Sequence, residues 1–281
     1  MSPVERIQLL LRSMSKKQAA AATYILENME TVPFYTLAEL SHQSAVSEAS
    51  IIRLTNTLGY EGFSEMQRAL RDVVKSQLSM SKRMDLVEQL GTDSGSIMRM
   101  VMQKGVEGLE RTMYGIKPAD FEKAADLLAN AKRVFMFGSR SSYYLIEFFA
   151  LELRWIRNDV YALSTQSSEF DALSDLREGD VFFAISMPRY LQSTIHATAL
   201  AHESGIPTIV ITDSLGSPLI PYTTIPLIVD NEIFSYCDNT VPIVATITAL
   251  LNSVGSITHP RSNMILSKNE ETWNRFNLYF K

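Results

Sequence analysis

The sequence holds a single cysteine, Cys237, in 281 residues. That excludes a disulfide framework and a multi-cysteine zinc site, and it fits a reducing compartment. Histidine is sparse as well. His42, His196, His202 and His259 are scattered without metal-ligand spacing, so no metal and no cofactor is expected. No uncharged apolar run reaches membrane-spanning length. No charged start followed by an apolar stretch marks a secretory signal. These absences predict a cytoplasmic protein with no membrane partner. Excess positive charge is missing too. The net charge is −5, so no global basic field advertises nucleic acid. Internal repeats and low-complexity tracts are absent. What remains is a globular balance, 46% hydrophobic and 20% charged, on a chain long enough for two ordinary domains.

The first third reads as short amphipathic helices. Ser15 precedes the Ala-rich run KKQAAAATYILENME, which has high helix propensity. Thr36 followed by Glu39 is a capping-box pattern. Ser47 is placed to cap a helix running to about Leu58, with Gly59 as its C-terminal glycine. In that helix Ile51, Leu54 and Leu58 share one face. Ser47, Ser50, Arg53 and Asn56 are assigned to the other. A last helix starts near Phe63 and turns Met66, Leu70, Val73, Val74 and Leu78 inward. Two short helices joined by a tight turn match a helix-turn-helix, whose second helix enters the major groove. Small serines permit close approach, and Arg53 suits guanine or phosphate. A plain helical bundle with a solvated Arg53 is the alternative. Residues 1–77 hold eight basic and eight acidic side chains, so this part is neutral and charge does not decide between them.

A polar connector follows, with a loop signal at Gly91–Gly95 and a helix beyond it. Its methionines read as adaptable packing. The stretch RVFMFGSRSS, residues 133–142, then joins a β-rich run to a glycine, three serines and a helical pattern. A strand, a Gly/Ser turn and a helix N-terminus together make an anion site. The same residues also fit an ordinary strand-to-helix turn. Further strands are expected at 159–163, 181–186, 207–212 and 224–229, with helical segments at 169–176, 194–203 and 240–256. That alternation gives a doubly wound α/β sheet, whose ligands sit at the carboxyl ends of the strands. Those ends are Gly138–Ser142, Ser186–Tyr190 and Thr212–Ser217.

Two stretches carry a family resemblance. LAELSHQSAVSEASIIRL followed by LGYEGFSEMQ resembles the N-terminal helix-turn-helix of RpiR-type bacterial transcriptional regulators. FGSRSS, GDVFFAIS and SGIPTIVITDSLGSPL are similar to the sugar isomerase (SIS) domain that follows it in that family. The resemblance implies an all-α helix-turn-helix domain at 1–78 and a linker with a connecting helix at 79–115. It implies an α/β doubly wound parallel-sheet SIS domain at 116–258 and a C-terminal tail or helix at 259–281. It implies operator DNA as one partner, with Ser47, Glu48, Ser50, Arg53 and Asn56 as DNA-binding candidates. A small phosphorylated sugar or related anionic effector is the other. Its candidate residues are Ser139, Arg140, Ser141, Ser142, Ser186 and Arg189. A homodimer, or a tetramer, is expected because two-fold protein symmetry mirrors a palindromic site.

The loops depart from the family pattern. Arg140 stands at the second glycine of Gly-x-Gly-x-Ser. Pro188, Arg189 and Leu191 replace the second Ser, the Gly and the Thr of Ser-x-Ser-Gly-x-Thr. The arginines suit bidentate binding of phosphate or carboxylate. Alternatively they pair with carboxylates of the domain and the site is vestigial. A sugar-phosphate isomerase with a helical accessory domain is the rival reading. Glu147, Glu152, Glu169 and Asp171 are available as acid or base, but none lies in an assignable motif. Ser142 has no visible His/Asp partners that would make it a nucleophile. No catalytic residue is therefore assigned. The C-terminal aromatics Trp273, Phe276, Tyr279 and Phe280 suit either a core-covering helix or a dimer contact.

Overall fold

The computed structural model describes residues 3–29, 31–91, 93–163 and 168–280. Thr92 of the expected loop and the side chain of Glu169 lie outside what is described. The chain divides into two compact units. One comprises Met1–Met100 with Glu232–Asp238, the other Val101–Asn231 with Asn239–Lys281. The division therefore falls inside the connecting helix, not at its two ends.

The first unit is helical. It holds α1 (Pro3–Leu10), α2 (Lys16–Glu27), α3 (Leu37–Ser44), α4 (Glu48–Thr57), α5 (Phe63–Gln77) and α6 (Met80–Asp85). Two helices start on reciprocal side-chain caps. Ser15 N donates to Gln18 Oε1 at 3.1 Å and Gln18 N to Ser15 Oγ at 3.4 Å. Thr36 N donates to Glu39 Oε2 at 2.6 Å and Glu39 N to Thr36 Oγ1 at 3.2 Å. Each arrangement satisfies amide groups that a helix start leaves without partners. Ile25, Leu40, Ile51, Leu54, Met66 and Leu70 form the buried centre.

The end of α4 is closed by α1. Arg6 Nη1 donates to Leu58 O at 2.8 Å, and its guanidinium lies 4.9 Å from the centre of the Tyr60 ring. Gly59 takes φ +81° at this turn, and an added Cβ would meet Arg6 Nη1 at 3.4 Å. Gly59→Ala is therefore expected to cost about 1 kcal/mol, from the left-handed backbone. Chemical denaturation should show the midpoint falling with an unchanged slope.

Helix α7 (Ser94–Gly115) carries the boundary between the units. The second unit continues with α8 (Pro118–Asn130), β1 (Val134–Phe137), α9 (Ser141–Arg154), β2 (Val160–Leu163) and β3 (Val181–Ile185). It goes on through α10 (Gln192–Glu203), β4 (Thr208–Thr212), β5 (Ile225–Ile228), α11 (Val241–Ile257) and α12 (His259–Arg275). The five strands form one parallel sheet in the order β2-β1-β3-β4-β5. Their runs are almost wholly apolar because both faces are covered. Leu128, Phe149, Ile247 and Leu250 pack on one face. Leu173, Ala197, Ala201 and Leu219 pack on the other. The expected helix at 169–176 is instead a 3-10 helix, Ser168–Asp175. Ser174 Oγ donates to Asp171 O, a bond of matching three-residue span, at 2.7 Å.

Two arginines, Arg133 half-buried and Arg157 buried, tie the base of this sheet. Arg133 holds Asp180 through Nε–Oδ1 at 3.0 Å and Nη2–Oδ2 at 2.6 Å. Arg157, at the end of α9, donates to the carbonyls of Leu128 and Ala131 and so closes the end of α8. The C-terminal segment is helical. Trp273 packs edge-on against Trp155 with centroids 5.8 Å apart, while Phe276, Tyr279 and Phe280 are exposed. Among the described residues no single helix is long and apolar enough to cross a membrane.

Candidate functional site

Two sites follow from this frame, one in each unit. In the first, α3 ends at Ala45, which takes the left-handed conformation at φ 54°. Val46 is buried in the turn, and α4 begins one residue after Ser47. Gln18 fixes α4 from behind. Its amide donates to Arg53 O at 3.2 Å and to Thr57 Oγ1 at 2.8 Å.

Ser47, just before α4, and Glu48, Arg53 and Asn56 within it are exposed. Ser50 is not. It is 1% exposed, so its expected place among the groups facing DNA is corrected. Ser50 is four residues from Leu54 and therefore shares that inward side. Its hydroxyl lies 3.0 Å from Ser47 Oγ and accepts from Arg53 Nη2 at 3.0 Å. Ser50 thus orients Arg53 across one helical turn.

The second site lies at the carboxyl ends of β1 and β3. These strands are neighbours, and the strand order reverses there, which is where such sheets bind ligands. Phe137 pairs with Ala184, so the loops starting at Gly138 and Ser186 emerge side by side. Gly138 is required: a Cβ there would meet the carbonyl oxygen of Ser142 at 2.8 Å. Only glycine lets the start of α9 approach β1 so closely.

Ser139 Oγ lies 3.0 Å from Ser193 Oγ and accepts from Thr194 Oγ1 at 3.3 Å. Three hydroxyls thus meet between the first turns of α9 and α10. No side chain caps either helix, so both N-termini present amide dipoles toward this end of the sheet. Ser141 is exposed at the start of α9, Ser142 is half-buried, and Ser186 is buried.

Arg140 and Arg189 are both exposed, and both have positive φ, 56° and 68°. They occupy the positions where the resemblance leads one to expect glycine. The loops therefore keep a glycine-like backbone while carrying cations, a strain of the kind held at binding sites. Below them Tyr190 donates to Asp213 Oδ1 at 2.6 Å, anchoring the loop after β3 to the end of β4. Burial pushes the Asp213 carboxyl up from its ordinary value, and the bond from Tyr190 opposes that rise.

Ser193 and Thr194 were not among the expected site residues. The helix after β3 starts at Gln192 rather than Thr194, which brings both hydroxyls into its first turn. At the opposite end of the sheet a cleft of about 550 Å³ opens beside Asp126, Asn130, Glu178, Asp180 and Gly205. Its carboxylates disfavour an anion. His196 and His202 are both exposed on α10.

Comparison with known proteins agrees with this division. The family model described as "Helix-turn-helix domain, rpiR family" matches residues 1–77, and that for the SIS domain matches 127–253. An uncharacterized HTH-type transcriptional regulator of Caldanaerobacter subterraneus is 28% identical over 231 residues, covering 80% of this chain and 79% of the relative. The HTH-type transcriptional regulator HexR of Pseudomonas aeruginosa is 25% identical, covering 82% and 81%. The structure of the Vibrio vulnificus NanR protein complexed with ManNAc-6P matches 97% of this chain and 98% of its own, with TM-score 0.60 and 23% identity. That last likeness shows the fold alone. These two relatives are named as transcriptional regulators, and the reading as an isomerase with a helical accessory domain is not favoured. The chain belongs to the RpiR-type family of helix-turn-helix transcriptional regulators that carry a SIS domain.

Proposed function

We propose that this is a cytoplasmic, dimeric regulator whose operator affinity is set by a small phosphorylated sugar or related anion. Helix α4 reads the major groove through Ser47, Glu48, Arg53 and Asn56, with Ser50 holding Arg53 in place. The effector sits between the first turns of α9 and α10. Ser139, Ser141, Ser142 and Ser186 supply hydroxyl or amide donors, and Arg140 and Arg189 supply charge. The observation that carries this reading is the Ser139–Ser193–Thr194 hydroxyl cluster between two helix N-termini that no side chain caps. An anion there meets donors and two positive dipole ends at once. That NanR is bound to a phosphorylated sugar in its structure supports the choice of ligand.

The test is operator binding, on a fragment selected from random DNA, with and without a panel of sugar phosphates. One panel member should change operator affinity about 5- to 150-fold, the usual range of coupling between sites.

Arg189→Gly separates stability from recognition. Left-handed backbone costs a side chain about 1–2 kcal/mol, and glycine's own flexibility offsets about half of that. The variant should therefore denature within about 1 kcal/mol of the parent while losing its response to the effector. A normal response at parental effector concentrations would remove Arg189 from the site.

A further inference from the structure

Helix α7 presents an exposed apolar stripe along its length. Met98, Met102, Val106, Leu109 and Met113 are 38–64% exposed. At 100° per residue they fall within about 80° of arc. A different side of the helix is already engaged. A Cβ on Gly108 would meet Asn239 Nδ2 at 2.8 Å, and one on Gly105 would meet Val241 at 3.2 Å. Arg111 grips Asp230 through two bonds of 2.9 and 3.0 Å. The stripe therefore points away from a seat that is held fast.

We infer that this stripe is the self-association surface, packing antiparallel against the same stripe of a second copy of the chain about a two-fold axis near residues 105 and 106. Two features select that occupant. The stripe is symmetric about its own centre, so reversal sets Met98 against Met113 and Met102 against Leu109. A two-fold contact needs that self-complementarity. The charges agree as well. Arg99 and Glu110 are exposed and eleven residues apart, which puts them on one flank of the stripe. In an antiparallel pair like flanks face each other. Arg99 of each copy then lies about two residues, roughly 3 Å along the axis, from Glu110 of the other. A parallel pair would set opposite flanks together and leave Arg99 and Glu110 of the two copies on opposite sides of the seam, without this pairing. The inference rests on the dimeric reading above and names its surface.

The test is run on the full chain with the exposed Cys237 replaced by serine. Under mild oxidation Val106→Cys should give a covalent dimer, and Met264→Cys, an exposed site on α12, should not. Val106→Glu with Leu109→Glu should be monomeric by light scattering, with unchanged circular dichroism. Arg99→Glu should weaken the dimer about 2- to 10-fold, and adding Glu110→Arg should restore it. Equal cross-linking at 106 and 264, or a dimer that survives both glutamates, would overturn the assignment. If the double-glutamate chain does not fold, the cysteine pair decides alone. A chain that cross-links at 106 yet selects no operator sequence would uphold this surface and defeat the regulatory reading instead.

Discussion

Asp180→Ala is expected to cost about 3–5 kcal/mol, the largest loss from any single change considered for this fold. Asp180 is 1% exposed. It accepts two hydrogen bonds from Arg133 and one from Arg177 N at 2.9 Å. Its removal leaves the Arg177 amide without this acceptor and the Arg133 guanidinium, 17% exposed, to the exposed Asp175 carboxylate and the Asp175 carbonyl. Arg133→Met combined with Asp180→Leu should cost less than the single change, since no charge is then left unpaired. The pair also sets an acid limit. Burial pushes the Asp180 carboxyl up, but the Arg133 bonds and the Arg177 amide more than offset this, holding it below its ordinary 3.8. A carboxyl depressed on folding stabilises fully above its unfolded value, and that contribution is lost as pH falls through the folded one. Denaturation midpoints should be insensitive to this pair above about pH 5 and should fall below about pH 4. Asp180→Asn should remove that acid-dependent loss. Asp175 also touches Arg133 at 2.8 Å, but it is largely exposed and should contribute under 1 kcal/mol.

Arg53→Ala should lose about 1–3 kcal/mol of operator affinity, which is about 5- to 150-fold. The loss should concentrate at one base position if Arg53 reads a guanine. It should spread evenly over all sequences, with a shallower salt dependence, if Arg53 holds phosphate. Ser50→Ala distinguishes this arrangement from a bare surface arginine. The serine is too deeply buried to reach DNA, so its effect passes through Arg53. Ser50→Ala should weaken binding in the parent and change nothing in the Arg53→Ala background. Additive losses would mean that the 3.0 Å bond between them plays no part in recognition.

Much of this architecture was legible in the residues. Capping pairs such as Thr36 with Glu39 and the Gly59 stop placed helix ends to within a residue or two, because their signals are local. The apolar strand runs gave the parallel sheet for a similar reason. Ser50 was misplaced because polarity was allowed to stand for exposure. Its spacing from Leu54 turns it inward, and its hydroxyl is satisfied there by neighbours on the same helix. Ser193 and Thr194 were missed because a motif fixes positions by count. The strained step at Arg189 and the extended Leu191 carry the chain two residues further before its hydroxyls arrive. Nor did the count of residues reveal that arginines at 140 and 189 would keep a glycine-like backbone.

The most direct measurement is operator affinity, by fluorescence anisotropy, for the parent and for Ser139→Ala across the sugar-phosphate panel. The account predicts that one compound shifts the parent by 5-fold or more and leaves Ser139→Ala, which still binds operator, unmoved. An equal shift in both proteins, or no shift with any member of the panel, would contradict the placement of an effector between α9 and α10.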